Sequence, residues 1–265
     1  MTIRDYTNYS IEDLLAQAKE RDIDAMHELG NRYLTGKGVR KNQPKAFRTY
    51  EEAAECPDSI WYGAIHEAVG DCHFYGIGTH EDEKAAFRSY QAGAASHYPK
   101  SVFSVGLCYL HGYGTRQDLI KAVDQFESAA KSHLPDAEYE LGAILLTTGP
   151  LYNKQRGEEL ITRAALQGHA AAQESKARLL TDGLIGNTKD EATMDLYCQA
   201  YAWLILASAT NPRYSKYRDI FLGQKQDFIL RGQKIAREIE LKIRSKQHRL
   251  PSPSPADLLG LNLED

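Results

Sequence analysis

The residue types best suited to chemistry occur in this 265-residue chain, but at spacings that chemistry does not use. Nine histidines invite a metal reading. Three of them, His97, His133 and His169, are read as one turn slot recurring from repeat to repeat. Helices of neighbouring repeats pack roughly 10 Å apart, whereas zinc holds its nitrogen ligands at about 2 Å. One ion cannot bridge that row, so these side chains read as hydrogen-bonding their turns. His66, His73 and His80 gather near Asp71 and Glu81 and read as a surface cluster. Cys56, Cys72, Cys108 and Cys198 form no C-x-x-C pair. They read as small buried side chains in a reducing compartment, with a metal or disulfide role as the alternative. G-x-S-x-G, H-E-x-x-H, G-x-x-x-x-G-K-[ST] and G-x-G-x-x-G are all missing. GKGV, GIGT and GYGT carry a G-x-G, but they follow a helix, and a phosphate loop must follow a strand and precede a helix. The expectation is no catalytic residue, no metal site and no cofactor.

A period dominates the chain instead. LGNRYLTGKGV (29–39), VGDCHFYGIGT (69–79) and VGLCYLHGYGT (105–115) are variants of one phrase. Aligned on Gly30, Gly70, Gly106 and Gly142, with Ala177 in the same slot, the intervals are 40, 36, 36 and 35 residues. A period of this length marks a stack of helix pairs. The first helix of the first pair is read at 24–34, ending at Gly36 and Gly38, where positive φ costs glycine little. The second is read at 44–55, with Pro44 at its start. The mid-helix glycines would each cost about 1 kcal/mol relative to alanine. They read as points where the second helix presses on the first. Phe47, Phe87, Phe126, Tyr33 and Tyr109 read as core.

The totals exclude some classes. A net charge of -4 leaves no basic field for nucleic acid or anionic lipid. The apolar run AYAWLILASA (200–209) is too short to span a bilayer. With no signal-like N-terminus, the expected compartment is the cytoplasm and the chain is expected not to insert into membranes.

The spaced pattern A-x-x-x-L-G-x-x-Y-x-x-G-x-G-V, then K-A, then A-A, resembles the Sel-one-like repeat (SLR) family, a branch of the tetratricopeptide-like solenoids. SHLPDAEYELG (132–142) and AALQGHAAAQ (164–173) are similar to its inter-repeat turn, and QAYAWLILASA (199–209) to a variant of its second helix. The chain looks like a bacterial-type cytosolic member. The resemblance implies an all-α, right-handed superhelix of about five helix pairs. Residues 1–23 are expected to form an N-terminal half-repeat, 24–213 the solenoid, 214–247 a capping helix and 248–265 a flexible tail. The fifth unit departs from the pattern at Ala177 and at the insert 185–195, and the fourth lacks the second loop glycine.

The resemblance also implies that the first helix of each pair lines a concave groove. The slots three before, one after and four after each glycine then face a partner. They hold His27, Asn31 and Leu34; Glu67, Asp71 and Phe74; Phe103, Leu107 and Leu110; Tyr139, Ala143 and Leu146; and Glu174, Arg178 and Thr181. The competing expectation is that twist buries several of them against the second helices. After a Pro/Ser run, Leu258, Leu259, Leu261 and Leu263 are expected to dock, in this groove or on another protein, or else to end the chain without consequence. The leading functional expectation is a non-enzymatic adaptor capturing a peptide or a partner helix. The alternatives are an enzyme like the cysteine-rich, β-lactam-hydrolysing branch, whose cysteine pair per repeat is missing here, and a protein binding a small regulatory ligand.

Overall fold

In a computed structural model, the described residues are 6, 8–56, 61–147, 149–182, 184, 190–221, 224, 226–245, 255–259 and 261. They form helices and connecting turns and include no strand. Contacts divide the chain into two compact units, residues 1–129 with 251–265, and residues 130–250.

The first unit opens with α1 (Ile11–Lys19), capped by Ser10, which exchanges hydrogen bonds with Asp13 in a capping box. Three helix pairs follow: α2 (Ile23–Thr35) with α3 (Gln43–Ala54), α4 (Tyr62–Tyr75) with α5 (Glu83–Ala95), and α6 (Pro99–His111) with α7 (Leu119–Lys131), whose last two residues fall in the second unit. Each helix packs on its sequence neighbour from α1 to α6, and α4 also packs on α6. A short helix from the far end of the chain, α14 (Pro255–Leu259), joins this unit.

The second unit holds α8 (Pro135–Leu146) with α9 (Lys154–Leu166), then α10 (Ala170–Thr181) with the long α11 (Glu191–Thr210). A single 3-10 turn, Pro212–Tyr214, and α12 (Ser215–Asp219) lead to α13 (Gln226–Arg244). α13 lies against α11. Phe228, Gly232, Ala236 and Ile243 are its buried stripe, flanked by the half-buried Ile229, Ile235 and Ile239.

The repeated phrase has a physical origin in both halves. Its mid-helix glycine is a contact point, as read from the sequence. A Cβ on Gly30 would strike the Tyr50 ring, and one on Gly70 the Tyr90 ring. On Gly106 it would meet Phe126, and on Gly142 Ile161 at 3.1 Å. Each second helix therefore sets one bulky side chain into the notch left by a missing side chain. In the loop half, Gly36, Gly76 and Gly112 end the first helices in the left-handed conformation. The next glycine serves stacking: a Cβ on Gly78 would strike the Gln43 carbonyl, and one on Gly114 the Glu83 carbonyl, each at the start of the preceding repeat's second helix. The loop closes by a repeated hydrogen bond, Asn42 N to Tyr33 O, Asp82 N to His73 O and Asp118 N to Tyr109 O. Asn42, Asp82 and Asp118 then cap the second helix by accepting from the amide three residues on.

One reading of the turns is corrected. His97 and His133 hold the left-handed turn position, at φ 60 and 58°. His169 does not share it. Gly168 takes that position at φ 95°, and His169 caps α10, its Nδ1 accepting from Ala172 N. Gly168 fills the strained position without a Cβ, which frees the histidine next to it for the cap.

Candidate functional site

The residues expected to line a groove divide by burial. In the first unit His27, Leu34, Glu67, Asp71 and Leu107 are buried, while Asn31, Phe74, Phe103 and Leu110 are half-buried. In the second unit Glu174 is buried, Tyr139 and Leu146 are half-buried, and Arg178 is exposed.

The slot after each of the first three glycines is absorbed by the fold. The Tyr50 hydroxyl donates to Asn31 Oδ1 at 2.6 Å and the Tyr90 hydroxyl to Asp71 Oδ1 at 3.0 Å. Where the bulky side chain is Phe126, which has no hydroxyl, the slot holds the apolar Leu107. The signal was in the sequence: a polar residue one after the glycine accompanies a tyrosine twenty after it.

The slot three before the glycine carries polar groups in the first two repeats. His27 stacks on Trp61 with ring centroids 5.2 Å apart, and burial pushes its pKa down to about 4. Glu67 accepts from the Ser104 hydroxyl at 2.7 Å, a bond from α4 to α6. Its other oxygen is buried with no hydrogen bond among the described residues. Burial, and then the neighbouring Asp71, push the Glu67 carboxyl up to about 8. In the third repeat the slot holds Phe103, tilted against Phe126 at 5.6 Å.

The slot four after the glycine is Leu34, Phe74, Leu110 and Leu146. Leu34 is fully covered, at 0 % exposure, and the other three are half-buried. Phe74 meets Tyr75 and Tyr113 edge-on. Leu146 lies over Gly157 of α9.

In the second unit Tyr139 tilts over His169 at 4.7 Å. Beside it, the fully buried Glu138 takes an ion pair from Arg163 and a 2.7 Å hydrogen bond from Gln167, tying α8 to α9. Burial raises the pKa of Glu138, against the pull of Arg163. The Glu174 carboxyl is likewise raised by burial, opposed by Arg178 and Arg213.

The chemistry-bearing residues scatter. His66 packs edge-on to Tyr62, His73 edge-on to Phe47, and His80 is exposed. No group of three or more His, Cys, Asp and Glu side chains among the described residues could hold a metal ion. The four cysteines are free thiols, and Cys72, Cys108 and Cys198 are buried. Burial pushes the Cys108 thiol up to about 12 and raises Cys72 as well, which suits packing rather than nucleophilic attack.

α14 brings Leu258, Leu259 and Leu261 to the first unit, each half-buried. Leu259 and Leu261 pack against the core cluster that includes Leu14, Leu29 and Leu34. Leu263 lies outside the described residues.

The Sel1 repeat model matches residues 23–58, 66–97, 99–133 and 135–169, more than half of the chain. The chain belongs to the Sel1 repeat family. Its fifth helix pair, α10 with α11, lies beyond the matched residues, where Ala177 replaces the glycine. A protective antigen with an SLR fold, present in uropathogenic Escherichia coli strains, superposes with a TM-score of 0.62 at 21 % identity, over 89 % of this chain and 48 % of that one. This Sel1 repeat chain thus spans about half the length of that protein. A Sel1 repeat protein from Oxalobacter formigenes superposes with a TM-score of 0.64 at 23 % identity, over 74 % of this chain and 75 % of that one. These likenesses show the fold, an all-α solenoid of SLR helix pairs. None of the curated proteins matches the chain.

Proposed function

We propose that this Sel1 repeat chain is a non-enzymatic adaptor whose first helices capture a peptide or a helix of a partner protein. Sel1 repeat proteins are generally protein-interaction scaffolds. The observation that supports the finer reading is the exposure left on α4 and α6. Ala68, Val69, Cys72, Val102, Val105, Leu107 and Cys108 of these helices are buried, yet Phe74, Phe103 and Leu110 keep accessible surface. We read these side chains together as one contact surface, because a contiguous apolar patch on a protein marks a binding site. Tyr139 and Leu146 leave the same kind of surface in the second unit. Among the described residues no helix is long and apolar enough to cross a membrane.

The magnitudes set the expected strength. Full burial of a Leu or Phe side chain is worth about 1.5–3 kcal/mol. Phe74, Phe103 and Leu110 start half-buried, so capture gains roughly 2–4 kcal/mol from the three together. Association costs several kcal/mol, so polar contacts must contribute. A short peptide is expected to bind with Kd in the micromolar range or weaker, where 1 µM corresponds to about -8 kcal/mol. The test compares wild type with Phe103→Arg and Tyr139→Glu in quantitative affinity purification from the native cell. Loss of a specific interactor, with unchanged helical circular dichroism, is expected. Equal capture by both variants and the wild type would overturn the reading.

A further inference from the structure

We infer that the face of α2 and α4 is a binding site for a short leucine-bearing segment, and that the chain's own C-terminal segment around α14 fills it in cis. The inference rests on the reading of the first helices as a capture surface, and it names the ligand class.

Three observations converge on it. The first is spacing. α4 and α6 pack directly on one another, whereas among the described residues α2 and α4 hardly meet. The first glycine-to-glycine interval is also the longest, at 40 residues against 36 for the next. The second is position. The main neighbours of α14 are α2 and α4, the first helices of two successive pairs, so the segment lies along the row that the fold leaves for a guest. The third is burial. Leu34 is fully covered, while Phe74 and Leu110, in the same slot of the next two repeats, are half-buried. Leu34 belongs to the cluster on which Leu259 and Leu261 pack. Phe74, on α4 beside the segment, and Leu110, on α6, lie outside that cluster and keep accessible surface.

The chemistry of the occupant follows from its sequence. PADLLGLNLED (255–265) offers leucines at 258, 259, 261 and 263 with acidic residues at 257, 264 and 265. A partner for this site would carry a short, acidic Leu-Leu-x-Leu segment and would have to displace the tail. A tethered segment competes at an effective concentration in the millimolar range. The free partner segment therefore binds well only when the tail is released.

The probe is a fluorescent synthetic peptide of residues 251–265, titrated into the full chain and into a full-chain Leu259→Asp/Leu261→Asp variant. The variant is expected to bind the peptide with Kd of about 10–100 µM, and the wild type at least about tenfold more weakly. The variant is also expected to melt about 2–6 °C lower, with unchanged helix content. Equal binding to both proteins, or binding to neither, overturns the inference. A wild-type dimer that the two substitutions convert to a monomer overturns the cis arrangement and assigns the segment to a second copy. The titration is independent of Phe103. If peptide binding fails while Phe103→Arg still loses its interactor, the self-ligand idea is wrong and the adaptor reading stands; the reverse pattern separates them the other way.

Discussion

Glu67 joins two repeats through one buried carboxyl, and its surroundings make that join sensitive to pH. Asp71 lies one turn along α4, Tyr90 faces the pair from α5, and Ser104 and Lys100 face it from α6. The folded chain holds the Glu67 proton up to about pH 8, whereas the unfolded chain releases it near the ordinary value of 4.5. Between those limits the folded state binds more protons, so stability falls as pH rises. His27 acts in the opposite sense, because its folded value of about 4 lies below the unfolded 6.5, and its contribution is complete above pH 6.5. From pH 6.5 to 8, then, Glu67 acts without opposition from His27. Glu67→Gln is expected to flatten the fall of the urea midpoint over that window and to raise the midpoint at pH 8. An unaltered slope would show that Glu67 is already ionised at neutral pH. Residue roles were only partly legible beforehand. The glycine notches could be read from spacing alone, because no other reason places glycine mid-helix. The hydroxyl partners of Asn31 and Asp71 left a fainter signal, a tyrosine twenty after each glycine, and only the packing of the second helix on the first turns that spacing into a hydrogen bond.

At the scale of elements, the period of the chain was enough to place the helix pairs, because most first helices end at glycine and most second helices start at an Asx cap. Legibility faded where a helix has no one-sided apolar pattern or is very short. α11 runs for 20 residues with little one-sided apolar pattern, as a helix buried on several sides must. α14 has only five residues and owes its place to α2 and α4 rather than to its own propensity. The role of the second loop glycine was also hidden, because it depends on the preceding repeat. Gly112 and Gly114 separate the two demands on that loop. Both have positive φ, 85 and 62°, so alanine at either costs about 1–2 kcal/mol for the left-handed conformation. Around Gly112 a Cβ would meet nothing nearer than 3.5 Å, but at Gly114 it would strike the Glu83 backbone. Gly114→Ala is therefore expected to lose at least about 1 kcal/mol more than Gly112→Ala in chemical denaturation, the usual scale of overpacking. Equal losses would mean that the loop yields and the repeats are not spaced through it.

Over the molecule as a whole, stability in a repeat stack is a sum of each repeat and its contacts with immediate neighbours. A perturbation should then be felt where the perturbed segment packs and fade beyond it. α14 and α13 make a contrast, since they follow one another in sequence but pack in different units. α13 lies on α11, and α14 lies on α2 and α4. Sequence distance and energetic distance are thus opposed: α14 is far from α2 along the chain and next to it in space. Native-state hydrogen exchange reads local opening element by element. In the Leu259→Asp/Leu261→Asp variant, amides of α2 and α4 are expected to exchange about tenfold faster, which corresponds to about 1.4 kcal/mol of lost protection. Amides of α10, α11 and α13 are expected to keep their wild-type rates. Faster exchange in α13 would mean that the tail braces its sequence neighbour instead, and unchanged exchange in α2 and α4 would mean that Leu259 and Leu261 contribute nothing to the first unit.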